Sequence, residues 1–492
     1  MRVLRVPLVR ASLPIAACLL LPSPGPEGGL GAQGVSRCAL NIQRAGRQLE
    51  RSDPDNPGAI TAFVSGPVTV RCGDAVMTGD SAVWRQAQEQ ALMVGRVRYR
   101  DTTRTLESER LTFYGGRDAA VAEGSVRLVR LANGATLEGP RVTFTRTPFA
   151  GSRTTATGRP RMTLPSGQGA TGGVEPSVVD ADVAEFVGEE EAFAKGDVVL
   201  ERRDLEATAD SARFSESAGR AVLYGDPVVD GEGYRLDGDS IVAGFELGDL
   251  RTIHSFGDAT AKGERYELRA DQIRARLAGD EVETIWAFGD GRSLAASAEF
   301  VLAGDSIVFA FLEGRADSVT AVGTASAVQV AAAVAEPPDS TAVAEPPDST
   351  AVAEPPDSTA VRAAGIDTAA VGERPRRAGL EEPELSTAVG ANWIAGDTVR
   401  ARFAPSTAGA TEPAGATGAD GEDVELEILT ATGDARSFYA AVRDTARSGE
   451  PSRNYLLGSR IEIRFRDGEP LTLAGTDAIG VYLEPITEED GR

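Results

Sequence analysis

A glycine-led motif recurs along this chain at intervals that fit one repeating structural unit. Gly66, Gly95 and Gly124 each precede a short run of alternating apolar and polar residues, and neighbours in this set lie 29 residues apart. The arrangement continues at intervals of 29 to 38 residues at Gly158, Gly196, Gly225, Gly257 and Gly289. Self-similarity at such a period is typical of repeat architectures, in which neighbouring units stack to bury one continuous core.

An acidic residue follows five of these glycines at a fixed offset of 14 positions. These residues are Asp80, Glu109, Asp210, Asp239 and Asp271. Catalysis needs unlike partners with separated pKa values, whereas these side chains recur at one position of a repeat. We therefore interpret them as structural residues of turns and expect no catalytic residue and no enzymatic activity. The single His254 has no nucleophile in a recognisable setting beside it.

The alternation inside each unit has the period of a β-strand. Val97 and Tyr99 alternate with the arginines at 96, 98 and 100, and Leu111 and Phe113 alternate with Arg110 and Thr112. A period of two places apolar side chains on one face of a strand and polar ones on the other. Glycine and Gly-Asp pairs are turn formers, so we predict two short strands per unit with the glycines in the turns. Only 5% of residues are aromatic and 55 are glycine, which also favours an all-β chain.

The amino-terminal residues 1–33 are predicted to be a signal peptide. Arg2, Arg5 and Arg10 precede a short apolar run that ends at Leu21, and a stretch rich in Ser, Pro and Gly follows. The chain is therefore expected to be exported. The segment IAAC, which ends at Cys18, also resembles a lipoprotein box, and acylation of Cys18 would anchor the chain to a membrane.

Two cysteines remain if Cys18 leaves with the signal peptide. Cys38 and Cys72 then form a disulfide in an exported protein, or stay as two free buried thiols. One histidine and three scattered cysteines do not give the spacing of a zinc site, and we expect no metal and no cofactor. The formal net charge of −24 argues against a nucleic-acid partner.

Two irregular segments divide the repeats. Residues 151–175 are rich in Gly, Thr and Ser and are predicted to be a flexible excursion, or the seam between two halves of the array. The nonapeptide AVAEPPDST occurs three times in tandem from residue 333 to 359, so a disordered, acidic, proline-rich linker is predicted over 327–388. The predicted β-repeat sections are therefore 34–150, 176–326 and 389–488.

The units resemble the OstA-like (organic solvent tolerance) family, which includes LptA, LptC and the amino-terminal domain of LptD. The resemblance rests on TGDSAVW (78–84), GSVRL (124–128), GDVVL (196–200) and ADSARF (209–214), and it covers roughly 60–323 and 390–485. It implies a β-jellyroll, or β-taco, of stacked antiparallel strands. It also implies lipopolysaccharide transport in outer-membrane biogenesis, with acyl chains in an apolar groove and edge strands that pair with other Lpt proteins.

The resemblance suggests specific roles for residues of the first section. The lipid-facing residues would be Val97, Tyr99, Leu111, Phe113, Val126, Leu128, Val142 and Phe144, although the same residues also fit an ordinary dry core. Arg96, Arg98 and Arg100 would attract the head group of lipopolysaccharide or a similar anionic glycolipid. The alternative function is an exported structural β-solenoid or surface protein that transfers no lipid.

Overall fold

The structure, a computed structural model, describes residues 40–52, 56, 59–147, 151–165, 176–203, 205–231, 233–279, 281–312, 314–329, 392–405, 424–441, 452–466 and 469–483. The chain divides into two compact units, Met1–Arg37 and Cys38–Arg492, and all described residues belong to the second. The predicted signal peptide, Cys18 and Cys38 lie outside the described residues. Among the described residues, no helix has the length and apolar character needed to cross a membrane.

Antiparallel strands make up almost all of the described chain. The first nine are β1 (Asn41–Arg44), β2 (Arg47–Ser52), β3 (Ile60–Cys72), β4 (Ala75–Arg85), β5 (Gln90–Arg100), β6 (Arg104–Tyr114), β7 (Ala119–Arg130), β8 (Thr136–Thr147) and β9 (Gly151–Thr157). One-turn 3-10 helices, Gln86–Gln88 and Gly115–Arg117, lie in the β4–β5 and β6–β7 connections.

The middle of the chain contains several strands of half length. These are β10 (Arg161–Leu164), β11 (Ser177–Asp180), β12 (Val183–Val187), β13 (Glu191–Arg202), β14 (Leu205–Ser215), β15 (Arg220–Tyr224), β16 (Val228–Gly231), β17 (Tyr234–Asp237), β18 (Ser240–Glu246) and β19 (Asp249–Gly263).

The remaining strands are mostly long. They are β20 (Tyr266–Ala278), β21 (Glu281–Ser297), β22 (Phe300–Leu312), β23 (Arg315–Gln329), β24 (Trp393–Pro405), β25 (Val424–Ala441), β26 (Ser452–Arg466), β27 (Glu469–Thr476) and β28 (Ile479–Leu483). The all-β fold class of stacked antiparallel repeats is confirmed.

The strands form two layers. One half of β8 pairs with β9, which pairs with β12. The other half of β8 pairs with β10, which pairs with β11. Both β12 and β11 then pair with β13, each with a different half of it. We call the ladder through β2, β9, β12, β15, β18 and β27 layer A, and the ladder through β1, β10, β11, β16, β17 and β28 layer B. Each other strand bends near its middle and gives one half to each layer.

A β-bulge marks each bend. In β5 the pairing with β6 shifts between Val94 and Val97, where Gly95 and Arg96 both have positive φ values of 80° and 44°. Such a bulge inserts one extra residue into one strand and turns the strand sharply. The prediction that the recurring glycines lie in turns between strands is therefore wrong for six of the eight, which lie inside strands. It holds for Gly158 and Gly225, which lie in the short connections after β9 and β15. A Gly-Asp pair with positive φ suits a bulge as well as a turn.

The two layers enclose a common apolar core. In β6 the buried residues before the bend are Arg104, Leu106 and Ser108, and those after it are Leu111 and Phe113. The buried face therefore changes from even-numbered to odd-numbered residues at Glu109 and Arg110, which are both exposed. The inward side chains of both layers pack into one hydrophobic cluster that extends from Val64 to Phe465. The interior between the layers is the part of the fold that could hold a guest molecule.

The segment predicted as a flexible excursion, 151–175, contains strands instead. β9 and β10 fill its first part, and Ala156 and Met162 are fully buried there. Thr154, Thr155 and Thr157 are β-branched, so the composition of this segment suits a strand as well as a loop. Residues 166–175 lie outside the described residues. The predicted linker 327–388 overlaps the end of β23, and its remainder also lies outside them.

Candidate functional site

The turns of both layers meet opposite the bends, along a side of the sandwich that we call the mouth. Between the mouth and the bends lies the interior, and its filling differs along the chain. In β5 to β8 the interior is packed with side chains. In β17 to β25 it contains a large cavity.

The eight residues predicted to face lipid all point into the packed part. Their exposed fractions range from 0% to 4%: Val97, Tyr99, Leu111, Phe113, Val126, Leu128, Val142 and Phe144. The ring centroid of Tyr99 lies 4.9 Å from that of Phe144 and 6.4 Å from that of Phe113. The Tyr99 hydroxyl donates a hydrogen bond to the Asp101 carboxylate at 2.8 Å. Acyl chains could enter here only if these side chains moved, so a lipid contact at these eight positions stays a prediction.

The three arginines predicted to attract head groups lie on the outer face of the sandwich. Arg96 pairs with Asp80 at 2.7 Å and Arg98 with Glu107 at 3.1 Å. The hydrogen bond from Arg96 lowers the pKa of the Asp80 carboxyl. Arg100 is exposed on the same face. Two of the three guanidinium groups therefore already have a carboxylate partner, and their role with a head group stays a prediction.

Cys72 is buried at the end of β3 and is disulfide-bonded. The other two cysteines, Cys18 and Cys38, lie outside the described residues. The pairing of Cys72 with Cys38 therefore stays a prediction. Among the described residues, no group of three or more His, Cys, Asp or Glu side chains is arranged to hold a metal ion.

The cavity between β17 and β25 has a volume of about 960 Å³. Its wall is aliphatic and aromatic and comes from both layers: Leu236, Ile253, Ile273, Leu277, Ile285, Leu302, Phe309, Val319, Leu426 and Leu429. A concave apolar space of several hundred cubic ångströms is typical of sites that bind small hydrophobic molecules. Sequence analysis missed this site.

Aromatic side chains lie at the mouth of this cavity. Tyr234, Tyr266 and Phe300 each begin a strand half in layer B, and all three line the cavity. The ring of Tyr266 lies 5.2 Å from Phe309 and 6.1 Å from Phe311. Burial raises the pKa of Tyr266 to about 12 and also raises the pKa of Tyr234. These three aromatic residues lie 32 and 34 residues apart, and this spacing was the sequence signal for the site.

Charged side chains surround the same opening. The basic residues at the cavity wall are Arg235, Lys262, Arg265 and Arg315, and the acidic ones are Glu264, Glu281 and Glu299. Arg235 pairs with Asp230 at 3.2 Å and Lys262 with Glu267 at 3.4 Å. The site therefore combines an apolar interior with a charged rim, which is the chemistry that an amphipathic ligand needs.

Comparisons with known proteins match part of this chain to one family. A family model described as LptA/(LptD N-terminal domain) LPS transport protein matches residues 47–247. Among solved structures, LptH, the LptA homologous periplasmic component of the conserved lipopolysaccharide transport device from Pseudomonas aeruginosa, is similar at 17% identity. That match covers 24% of this chain and 82% of LptH, with a TM-score of 0.21. No curated protein matches the chain. Most of the cavity wall follows residue 247, beyond the family match.

Proposed function

We propose that the chain is a periplasmic, non-enzymatic lipid-binding bridge, because residues 47–247 match the model of the LptA/LptD amino-terminal family of lipopolysaccharide transport proteins. It carries lipopolysaccharide, or a related acylated anionic lipid, toward the outer membrane. The acyl chains lie in the apolar interior between the two layers, and the sugar head group stays outside the mouth. The observation that supports this proposal beyond the family match is the cavity of about 960 Å³.

The cavity suits acyl chains because its wall offers a large apolar surface and few specific polar contacts. Burial of each CH₂ group contributes about 0.8 kcal/mol, so binding strength grows with the length of chain enclosed. Phe309 in β22 and Leu277 in β20, on either side of β21 in layer A, are 4% and 6% exposed and border the space directly. A straight apolar chain needs no hydrogen-bond partner, and it can slide along such a wall.

The rim suits an anionic head group. Guanidinium groups bind phosphate through paired N–H donors, and the rim contains Arg235, Arg265 and Arg315. Acidic residues stand between them, so a phosphate must compete with carboxylates for these donors. The head group is therefore held by exchangeable contacts, as transfer from one protein to the next requires.

The sheet edges suit partners with the same fold. All five residues of β28 are exposed, with Ile479 at 75% and Leu483 at 58%, and β2 at the other end is also exposed along its length. An unpaired edge strand offers a row of free backbone groups to another strand. We propose that other Lpt-type domains pair with these edges and continue the apolar interior from one protein to the next.

A photo-crosslinking experiment tests the lipid site. A benzophenone analogue of phenylalanine replaces Phe309 in the cavity, and a matched control replaces Phe63, which is 43% exposed on the outer face of β3. Irradiation of intact cells should give a lipopolysaccharide adduct from position 309 and none from position 63. The same probe at Phe113 tests the predicted first-section residues. Equal labelling at positions 309 and 63, or none at 309, would contradict the proposal.

A charge placed in the cavity wall gives an independent measurement. Leu277→Glu puts a carboxylate against apolar side chains, where an unpaired charge is strongly disfavoured. We expect the purified variant to retain its fold and to lose most of the co-purifying lipid A that mass spectrometry detects in the wild type. A wild-type protein that carries no lipid would favour the alternative, an exported structural scaffold.

A further inference from the structure

Arg104 reaches across the mouth from layer B to layer A. It begins the layer-B half of β6 and is only 5% exposed. Its Nη1 donates a hydrogen bond at 2.7 Å to Thr154 Oγ1, which lies in β9 of layer A. Its guanidinium carbon lies 5.1 Å from the centroid of the Phe144 ring, at the layer-A end of β8. Asp101, in the adjacent turn, lies 3.6 Å from Arg104 Nε.

Arg130 makes the same crossing from the next strand. It is the register partner of Arg104 and is also 5% exposed. Its two terminal nitrogens donate to the carbonyl oxygens of Glu189 and Glu191, at 2.6 and 3.2 Å, at the β12–β13 turn of layer A. Its guanidinium lies 4.2 Å from the centroid of Phe186. The Glu216 carboxylate lies 3.5 Å away, and the neighbouring Asn133 donates to that same carboxylate.

Arg202 repeats the arrangement further along the chain. It ends the layer-B half of β13, and its Nη2 donates to the carbonyl oxygen of Gly248 in the β18–β19 turn of layer A. Its guanidinium lies 4.9 Å from the centroid of Phe245. Each of the three arginines therefore stands at the end of a layer-B strand half, stacks on a phenylalanine at the end of a layer-A strand half, and donates to layer A.

The positions of these arginines coincide with the closed part of the interior. Further along the chain, the corresponding layer-B strand ends carry Tyr234, Tyr266 and Phe300, and there the interior holds the large cavity. Between Arg104 and Arg130 the remaining void is only about 20 Å³, close to the space that one water molecule needs. Burying a guanidinium is unfavourable unless its donors find partners, and in the closed arrangement layer A supplies hydrogen-bond acceptors and an aromatic ring to each arginine.

We propose that Arg104, Arg130 and Arg202 are latches that hold the mouth shut over residues 104–248, and that their release opens the packed first section into a groove continuous with the cavity. This conformational device goes beyond the proposed function, and it rests on that function only for the identity of the guest. When the latches are released, Tyr99, Phe113 and Phe144 become the wall of the groove. The closed state is the one that the structure shows.

The opening itself is measured without lipid. Spin labels are attached at Ala132→Cys in the layer-B turn between β7 and β8 and at Ser217→Cys in the layer-A turn between β14 and β15. The protein without these two substitutions shows how much label the native cysteines take up. The wild-type background should give one short, narrow distance distribution. Arg130→Met is the test variant because an apolar side chain of similar length removes the buried charge, while Glu216, which loses this ion pair, keeps the hydrogen bond from Asn133. We expect its distribution to broaden and shift to longer distances.

Two further variants separate a latch from general structural support. Arg130→Lys keeps the charge and loses the two-carbonyl contact, so it should also open the mouth. Arg213→Met is the matched control, since Arg213 is exposed and pairs with Glu191 within layer A. A distance distribution unchanged in both Arg130 variants would overturn the proposal. So would an equal change in Arg213→Met, or a loss of the cooperative unfolding transition in both Arg130 variants.

Lipid labelling provides the second readout. With the benzophenone probe at Phe113, Arg130→Met should increase the lipopolysaccharide adduct several-fold over the wild-type background, while labelling from position 309 stays the same. An unchanged adduct at 113 in an opened mouth would overturn the idea that the groove accepts a chain. If position 309 also gives no adduct, the proposed function fails, and the spin-label distances still decide whether the latches exist.

Discussion

At the scale of single residues, the charges buried in the interior are held by dense hydrogen bonding. Asp101 is 5% exposed and accepts hydrogen bonds from Tyr99, from the backbone and hydroxyl of Thr103, and from the backbone of Arg104. Burial alone would raise the pKa of the Asp101 carboxyl, but these hydrogen bonds and the charge of Arg104 outweigh it and lower the pKa. The turn that carries the first latch is therefore built on an ionised carboxylate.

Asp101→Asn tests this role. An aspartate whose folded pKa is lowered adds stability above its unfolded pKa of about 3.9, and this stability is lost as the pH falls through the folded pKa. We expect the variant to be less stable by about 2 kcal/mol at neutral pH and to lose less stability than the wild type on acidification. Urea unfolding between neutral pH and strong acid measures both effects. The exposed Asp290→Asn serves as the control, and an identical acid dependence in both variants would contradict the prediction.

The raised pKa of Tyr266 predicts how the stability of the fold changes at alkaline pH. Its folded pKa of about 12 lies above the ordinary value of 10.0. The neutral phenol is therefore favoured in the folded state, and the stability that it contributes is full below pH 10.0 and lost as the pH rises toward 12. We expect Tyr266→Phe to remove one late-titrating group from the ultraviolet tyrosinate titration and to unfold less readily near pH 12. A late phase of unchanged amplitude would show that Tyr266 is not the buried phenol.

At the scale of strands, six of the eight recurring glycines lie directly against an acidic side chain from earlier in the chain. A Cβ atom on Gly95 would lie 2.6 Å from Asp80 Oδ2 and 3.0 Å from Asp80 Cβ, and a Cβ on Gly124 would meet Glu109 in the same way. Each acidic side chain thus packs over the backbone of the bulge that follows it. In both cases the acidic residue precedes the glycine that it covers by 15 positions in the sequence.

Gly95→Ala should therefore destabilise the fold through backbone strain and through a clash with Asp80. The same substitution at a second glycine, Gly134, measures the backbone strain alone. Gly134 has a φ of 77°, close to the 80° of Gly95, but a Cβ atom on Gly134 would have no neighbouring atom within 4 Å. Gly134→Ala introduces only the backbone strain of a left-handed residue, about 1 kcal/mol. Gly95→Ala adds the clash with Asp80, so its loss of unfolding free energy in urea should be clearly larger. Equal losses would show that the Asp80 side chain moves aside freely.

The strand pattern could be predicted from the sequence, whereas the bends and the cavity could not. Alternation placed Val97 and Tyr99 inward and Arg96 and Arg98 outward, because a strand with one buried face has only one consistent register. The glycine bulge could not be told from a turn, since both use positive φ. The cavity depends on how distant strand ends face each other, and the alternation around Leu236 is the same whether the interior beside it is filled or open.

At the scale of the whole second unit, the hairpin between β23 and β24 is closed at its base by its own residues. The backbone N–H of Gln329 donates to the backbone carbonyl of Asn392 at 2.8 Å, and the side-chain Nδ2 of Asn392 donates to Gln329 Oε1 at 2.6 Å. The Asn392 side-chain oxygen also accepts from the Ala440 amide at 2.7 Å. The two strands therefore meet as neighbours although the AVAEPPDST repeats lie between them in sequence.

Replacing residues 333–388 with a turn of a few Gly and Ser residues should leave the fold intact. Shortening a closed loop about sixfold lowers its closure entropy cost by about 1.6 kcal/mol, so the variant should be as stable as the wild type or more stable by up to that amount. Thermal unfolding and lipid labelling from position 309 measure the outcome. A lower melting temperature, or lost labelling, would show that the repeats contribute to the fold or to the site.

The bent strands have a consequence for how proteins of this type change length. Because one strand supplies both walls, inserting a single hairpin extends the two walls together and leaves the cross-section of the interior as it was. A gene that gains or loses such a hairpin therefore yields a conduit of different reach that still fits the same cargo.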